Sequence, residues 1–240
     1  MRAHVRIRCL LAIAMPFALA GSVKLARESP RLQRYVLGGG SAGAMLTESG
    51  GVPSTPSAAR GTFAVGLSRA ELASYLSVSA IMMRRGTNQL ITSEFHRWGG
   101  DLDQGINRAV AAYLAGSPRV RTVDVAPWSA RARHDVLVQL HVSRFEGVLA
   151  DSAATDGRVH VMARWDILRP FSGAVLVRGS TDDRGDTFRV GDYPGLVAGL
   201  DAGLARVARD IGACLARFTN DSTPPASCAS ASTGTGDGGR

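Results

Sequence analysis

Apolar residues recur along this chain with two different periods, and those periods lay out its elements. In 136–142, Val136, Val138, Leu140 and Val142 alternate with Leu137, Gln139 and His141. In 159–167, Val159, Val161, Ala163, Trp165 and Ile167 alternate with His160, Met162, Arg164 and Asp166. A period of two predicts half-buried strands, since successive side chains leave opposite faces of a sheet. Shorter runs at 62–67, 80–85, 89–95, 119–125 and 174–180 read as further strands. Gly86-Thr87-Asn88 is a compact hairpin connection between two of them. Residues 69–76 predict a short helical turn.

The period changes twice. Leu102, Ile106, Ala109, Val110, Tyr113 and Leu114 fall on one face of a helix over 101–115, which Gly116 and Pro118 close. Asp101 stands at its N-cap, and Gln104 three residues on completes a capping-box pattern. Leu196, Leu200, Leu204, Val207, Ile211, Leu215 and Phe218 form the longest stripe, within a second helix over 193–218. The whole predicts a single compact α/β domain over 62–218, with a mixed central β-sheet packed by these two main helices. Residues 219–240 hold no core-forming residues and read as a disordered tail.

The segment before the domain changes the picture of location. Arg2, Arg6 and Arg8 precede the apolar run Leu10 to Ala20, which ends in the small-x-small triplet Ala18-Leu19-Ala20. That is the layout of a cleavable signal peptide, residues 1–20, and the run falls short of the about 20 residues a membrane span needs. Residues 21–61 read as a basic stem followed by a flexible Gly/Ser/Pro linker. The net charge of +8 is concentrated here, because residues 1–34 hold seven basic residues and one acid. The rest of the chain is nearly neutral, which argues against a nucleic-acid partner. Cys9 lies in the signal, while Cys214 and Cys228 either pair in an oxidising compartment or remain free thiols.

The densest run of charged and aromatic groups is Ser93 to Asp103, between a strand and the first helix. Glu94 and His96, two apart on a strand, would share a face and could act as acid and base. No nucleophile motif accompanies them, so Glu94, His96 and Asp101 are expected to hold a structural corner. Phe95, Arg97 and Trp98 are the expected partner contacts, since Trp and Arg are favoured at binding hot spots. Asp101 and Asp103 suit a helix N-terminus better than a metal. His141 and His160 lie on separate strands and could be neighbours, but they lack a third ligand and read as solvated strand positions. No metal, cofactor or phosphate loop is expected, the Gly38-Gly39-Gly40 run included.

Several of these stretches resemble one family. Arg34-Tyr35-Val36-Leu37, Val65-Gly66-Leu67, Leu72-Ala73-Ser74-Tyr75-Leu76, Ile81-Met82-Met83-Arg84-Arg85 and Asn88-Gln89-Leu90 are similar to segments of the ABC-type transport auxiliary lipoproteins, the PqiC family. Ser93-Glu94-Phe95-His96-Arg97-Trp98 followed by Leu102-Asp103 is the most specific of them. The resemblance spans about 34–218. It implies a non-enzymatic periplasmic subunit acting beside a mammalian-cell-entry (MCE) domain protein, a permease and an ATPase on phospholipid or another hydrophobic substrate. It also implies a lipidated N-terminal Cys, yet Leu19-Ala20-Gly21 is followed by Ser22, which cannot carry a thioether-linked lipid. Release at Ala20 or retention by an uncleaved segment are the alternatives. A lipid-carrying binding protein, an envelope hydrolase using Glu94 and His96, and a homo-oligomer are the competing readings.

Overall fold

One strand, β7 (Val136–Leu149), organises the sheet because three other strands share one of its sides. In the computed structural model, which describes residues 31–38, 61–129, 131–218, 225 and 228, β7 runs 14 residues. The predicted signal peptide lies outside the described residues, as do 39–60 of the linker and most of the tail.

Along one side, β7 takes three parallel partners in succession: β2 (Phe63–Leu67) at 136–138, β3 (Glu71–Leu72) at 141–142, and β4 (Ala80–Arg85) at 147–149. Its other side is filled antiparallel by β8 (Asp156–Leu168), which carries β9 (Val175–Asp183) and β10 (Thr187–Arg189) in turn. β5 (Gln89–Trp98) folds back on β4, and β1 (Gln33–Tyr35) lies parallel to its last three residues. β6 (Val120–Val125) lies parallel to β2. The result is one mixed sheet of ten strands with two helices, a single compact α/β domain, as the two periods predict. Gly86 turns the β4–β5 hairpin at φ +55°, a backbone state that suits glycine.

Both helices pack on the sheet face that carries the alternating apolar positions. α1 (Leu102–Leu114) buries Leu102, Ile106, Ala109, Val110 and Leu114. α2 (Tyr193–Ala216) starts where Asp192 accepts a hydrogen bond from Gly195 N–H at 2.9 Å and Pro194 stands in the first turn. Gly199 and Gly203 bring α2 down onto β8, since an added Cβ would lie 2.5 Å from Val159 Cγ2 or Val161 Cγ2. Trp165 is fully buried with Gly179 of β9 beneath its indole. A disulfide joins Cys214 of α2 to Cys228, with Cα atoms 5.4 Å apart, so the bridge that the sequence leaves open is made.

Several expectations are corrected. The helical turn expected over 69–76 is β3 plus a short 3-10 turn at Ser74–Leu76, because the backbone around Glu71 pairs with β7. β1 lies before residue 62, so the sheet begins earlier than the periodicity suggests. Asp101 is the N-cap of α1, but its carboxylate takes a hydrogen bond from Gln104 Nε2 at 3.2 Å and from no backbone N–H. Phe218 is buried beyond the end of α2, edge-on to Phe63.

Candidate functional site

The corner at the end of β5 is built by an irregularity that the sequence pattern hides. Ala80 pairs with Arg97 and Met82 with Thr92, so β5 advances five residues while β4 advances two. The extra residues form a bulge, closed where His96 N–H donates to Ser93 Oγ at 3.0 Å. A bulge breaks the two-residue alternation, so the spacing of Glu94 and His96 no longer places them on a common face.

His96 is held from two sides. Its ring lies flat on Tyr193 at the start of α2, with centroids 3.7 Å apart and planes at 10°. Its Nδ1 is 2.9 Å from the Tyr35 hydroxyl, which itself donates to Gln33 Oε1 at 2.7 Å. The single phenol proton is spent on Gln33, so the His96 contact calls for the proton on Nδ1. Burial raises the Tyr35 pKa, with Tyr193 and Asp192 adding to it. His96 therefore ties β1, β5 and α2 together, while Glu94 is exposed. The arrangement is a joint between three elements rather than an acid–base pair.

The three expected contact residues separate. Trp98 is only 4% exposed and packs 5.8 Å from the Phe145 ring, so it belongs to the core and drops out of the contact patch. The bulge restores the inward phase of β5 at its last residue, and Trp98 N–H donates to Ser79 O at 2.7 Å. Phe95 remains 38% exposed. Arg97 is exposed and reaches Ser79 Oγ through Nη1 at 3.1 Å. Asp103 pairs with Arg69, and Asn107 Nδ2 donates to Ser68 O at 2.9 Å, although the buried Asn107 Oδ1 has no partner among the described residues.

The two strand histidines are not neighbours. In the β7–β8 register His141 faces Arg164 and His160 faces Glu146. His141 Nδ1 lies 3.0 Å from Glu71, and His160 Nε2 lies 2.8 Å from Asp182. His160 is buried, not solvated, because β9 brings Asp182 alongside it. Among the described residues no group of three or more His, Cys, Asp or Glu could hold a metal.

A cluster that the pattern did not single out lies next to this pair. Glu146 is completely buried, gripped by Arg84 through Nε at 2.6 Å and Nη2 at 3.1 Å, and by Arg144 through Nη1 at 3.0 Å. The Arg84 guanidinium lies 5.6 Å from the centroid of the Tyr75 ring. Burial, chiefly, pushes the Tyr75 hydroxyl up to about 12. A second irregularity, between Val142 and Arg144, puts Phe145 among the buried side chains and leaves Glu146 on the opposite face. The Arg144-x-Glu146 spacing was the one available signal, and it is common on ordinary solvated strands. Asp201 of α2 provides a third tie, accepting from Tyr113 OH at 2.7 Å and from Gly38 N–H at 2.9 Å.

Comparisons with known proteins bear on the family and the fold. A family model described as ABC-type transport auxiliary lipoprotein component matches residues 46–212. No curated protein matches the chain. Among solved structures, a Xanthomonas campestris protein of the DUF330 family shares 14% identity at a TM-score of 0.52, covering 65% of this chain and 85% of its own. That likeness concerns the fold. A PelC dodecamer from Paraburkholderia phytofirmans shares 17% identity at a TM-score of 0.36, covering 62% of this chain and 86% of its own.

Proposed function

Because the chain belongs to the ABC-type transport auxiliary lipoprotein component family, we propose that it is a non-enzymatic accessory subunit of an MCE-type transport system. Its role is to dock and position the transporter in the periplasm, in the service of phospholipid or other hydrophobic traffic and of envelope integrity. The family match over 46–212 is the observation that carries this reading. The chemistry of the corner supports it, since His96 is committed to Tyr193 and Tyr35. Phe95 and Arg97 are the contact residues that stay accessible in the corner. The Cys214–Cys228 disulfide suits an exported domain, as such bonds persist in oxidising compartments.

The organisation that goes with this role is a signal peptide at 1–20, a basic stem and linker at 21–61, and a working domain from 62 to 218. The test is affinity purification of the tagged full chain from the envelope of its native host. Recovery of an MCE-domain protein with its permease and ATPase is the expected result, weakened by Arg97→Glu. Recovery of the chain with none of these partners, under conditions that keep the permease and ATPase together, refutes the proposal.

A further inference from the structure

The turn between β8 and β9 carries the most exposed large apolar side chain among the described residues. Phe171 is 91% exposed. Its backbone has φ +67°, and it is the only non-glycine with positive φ among the described residues. Ser172 N–H donates to Pro170 O at 2.8 Å across it, which closes a three-residue γ-turn of the rare positive-φ kind. Bulky residues avoid that region because Cβ crowds the backbone. The tip is nevertheless pinned by Arg169 N–H to Ala174 O at 2.8 Å and Gly173 N–H to Arg169 O at 3.0 Å. The fold thus holds an aromatic ring out in solvent at a conformational cost, with little burial among the described residues to repay it.

Charge around the tip is mostly positive, with Asp166 and Asp135 set among the arginines. Residues 167–180 contain Arg169 and Arg178 and no Asp or Glu. Leu168 pairs with Leu137, so the tip follows the end of β8 beside the start of β7. The segment that leads into β7, residues 126–135, contains Arg131 and Arg133 and a single acid, Asp135, which pairs with Arg121 at 3.4 Å. Arg131, Arg133, Arg169 and Arg178 are all exposed. Among them Arg178 has an acidic neighbour, Asp166 at 3.5 Å.

We infer that this end of the sheet is a membrane-contacting surface, with Phe171 entering the interface of an anionic bilayer and the four arginines meeting its headgroups. A lone aromatic wedge beside Ser172 and Gly173 lacks the surrounding patch that a stable protein interface needs, about 800 Å² on each partner. A bilayer interface needs no complementary pocket: it accepts an aromatic ring at the acyl boundary and attracts arginines to anionic lipid. One ring and a few charges give weak, reversible attachment, suited to orienting a domain that is tethered by other means. This surface stands apart from the corner at β5, and its role holds whether or not transport partners are recovered.

Vesicle co-sedimentation of the full chain tests it. Vesicles of equal parts phosphatidylglycerol and phosphatidylcholine should pellet the protein, added salt should release it, and pure phosphatidylcholine should bind it less. Phe171→Gly should weaken binding about tenfold, the loss expected when one ring no longer leaves water. The same change relieves the positive φ, so the variant should be at least as stable as the parent in urea, which separates lost contact from lost folding. Phe171→Trp should show bluer emission with vesicles than the parent protein does. Equal binding by Phe171→Gly and the parent, or unchanged Phe171→Trp emission, overturns the inference. So does retention of binding when Arg169 and Arg133 are both replaced by Glu.

Discussion

Breaking the Cys214–Cys228 bond should lower stability by about 3 kcal/mol. The two residues are 14 apart, and closing a loop of that length removes chain entropy from the unfolded state worth roughly this amount. Both cysteines are buried, at 1% and 4% exposure, so the bond is shielded in the native state. For a domain of this size a urea dependence of about 2 kcal/mol/M converts the loss to a fall in midpoint on the order of 1.5 M. The assay is urea unfolding followed by circular dichroism, with and without reductant. The double variant Cys214→Ala/Cys228→Ala serves as control, because its midpoint should not respond to reductant. Thiol titration supplies an independent reading: in denatured but unreduced protein neither Cys214 nor Cys228 should react, whether or not Cys9 has left with the signal peptide. A midpoint that reductant leaves unmoved, or reactive thiols at both Cys214 and Cys228 in protein prepared from an oxidising compartment, would refute the reasoning.

Other predictions follow from the same contacts. Trp98→Ala should cost about 3–5 kcal/mol by chemical denaturation, whereas Arg97→Ala should stay within about 0.5 kcal/mol, because only the first opens a cavity. Gly203→Ala should destabilise by about 1–3 kcal/mol in spite of the better helix propensity of alanine, since the new methyl meets Val161 Cγ2 at 2.5 Å. Tyr75 should ionise near pH 12 in the folded protein by ultraviolet difference titration. Its folded pKa lies above the unfolded value, so its contribution to stability is complete below about pH 10 and is lost as pH rises towards 12.

How far the sequence could be read depends on what enforces each feature. The strand alternation in Val136–Val142 and Val159–Ile167 and the stripe of α2 were legible because burial against one face imposes a fixed period. Those patterns determine an α/β domain with a mixed sheet packed by two main helices, and they place both helices nearly to the residue. The Ser93–Asp103 run was legible as a strand-to-helix junction, and with the other quoted segments it marked the family. The bulge inside that run was not. A bulge is decided by which partner residues the neighbouring strand offers, here Ala80 and Met82 of β4, and no local pattern encodes that. Its consequences run through the whole corner: Trp98 turns inward, His96 meets Tyr193 nearly a hundred residues away, and Glu94 is left aside.

The same holds for the short strands. β1, β3 and β10 contain two or three residues each, too few to display any period, and they exist because a longer strand offers them a free edge. Glu146 looks like any solvated strand glutamate until Arg84, 62 residues before it, closes over it. Phe171 is the reverse case, an ordinary apolar letter that the tertiary structure leaves outside every core. Periodicity, turn residues and charge are local or repeating, so the sequence by itself determined the long strands, the two helices, their buried faces and the family. Register, bulges, buried ion pairs and the company each side chain keeps depend on residues far apart in the chain. Only the packed structure decided those.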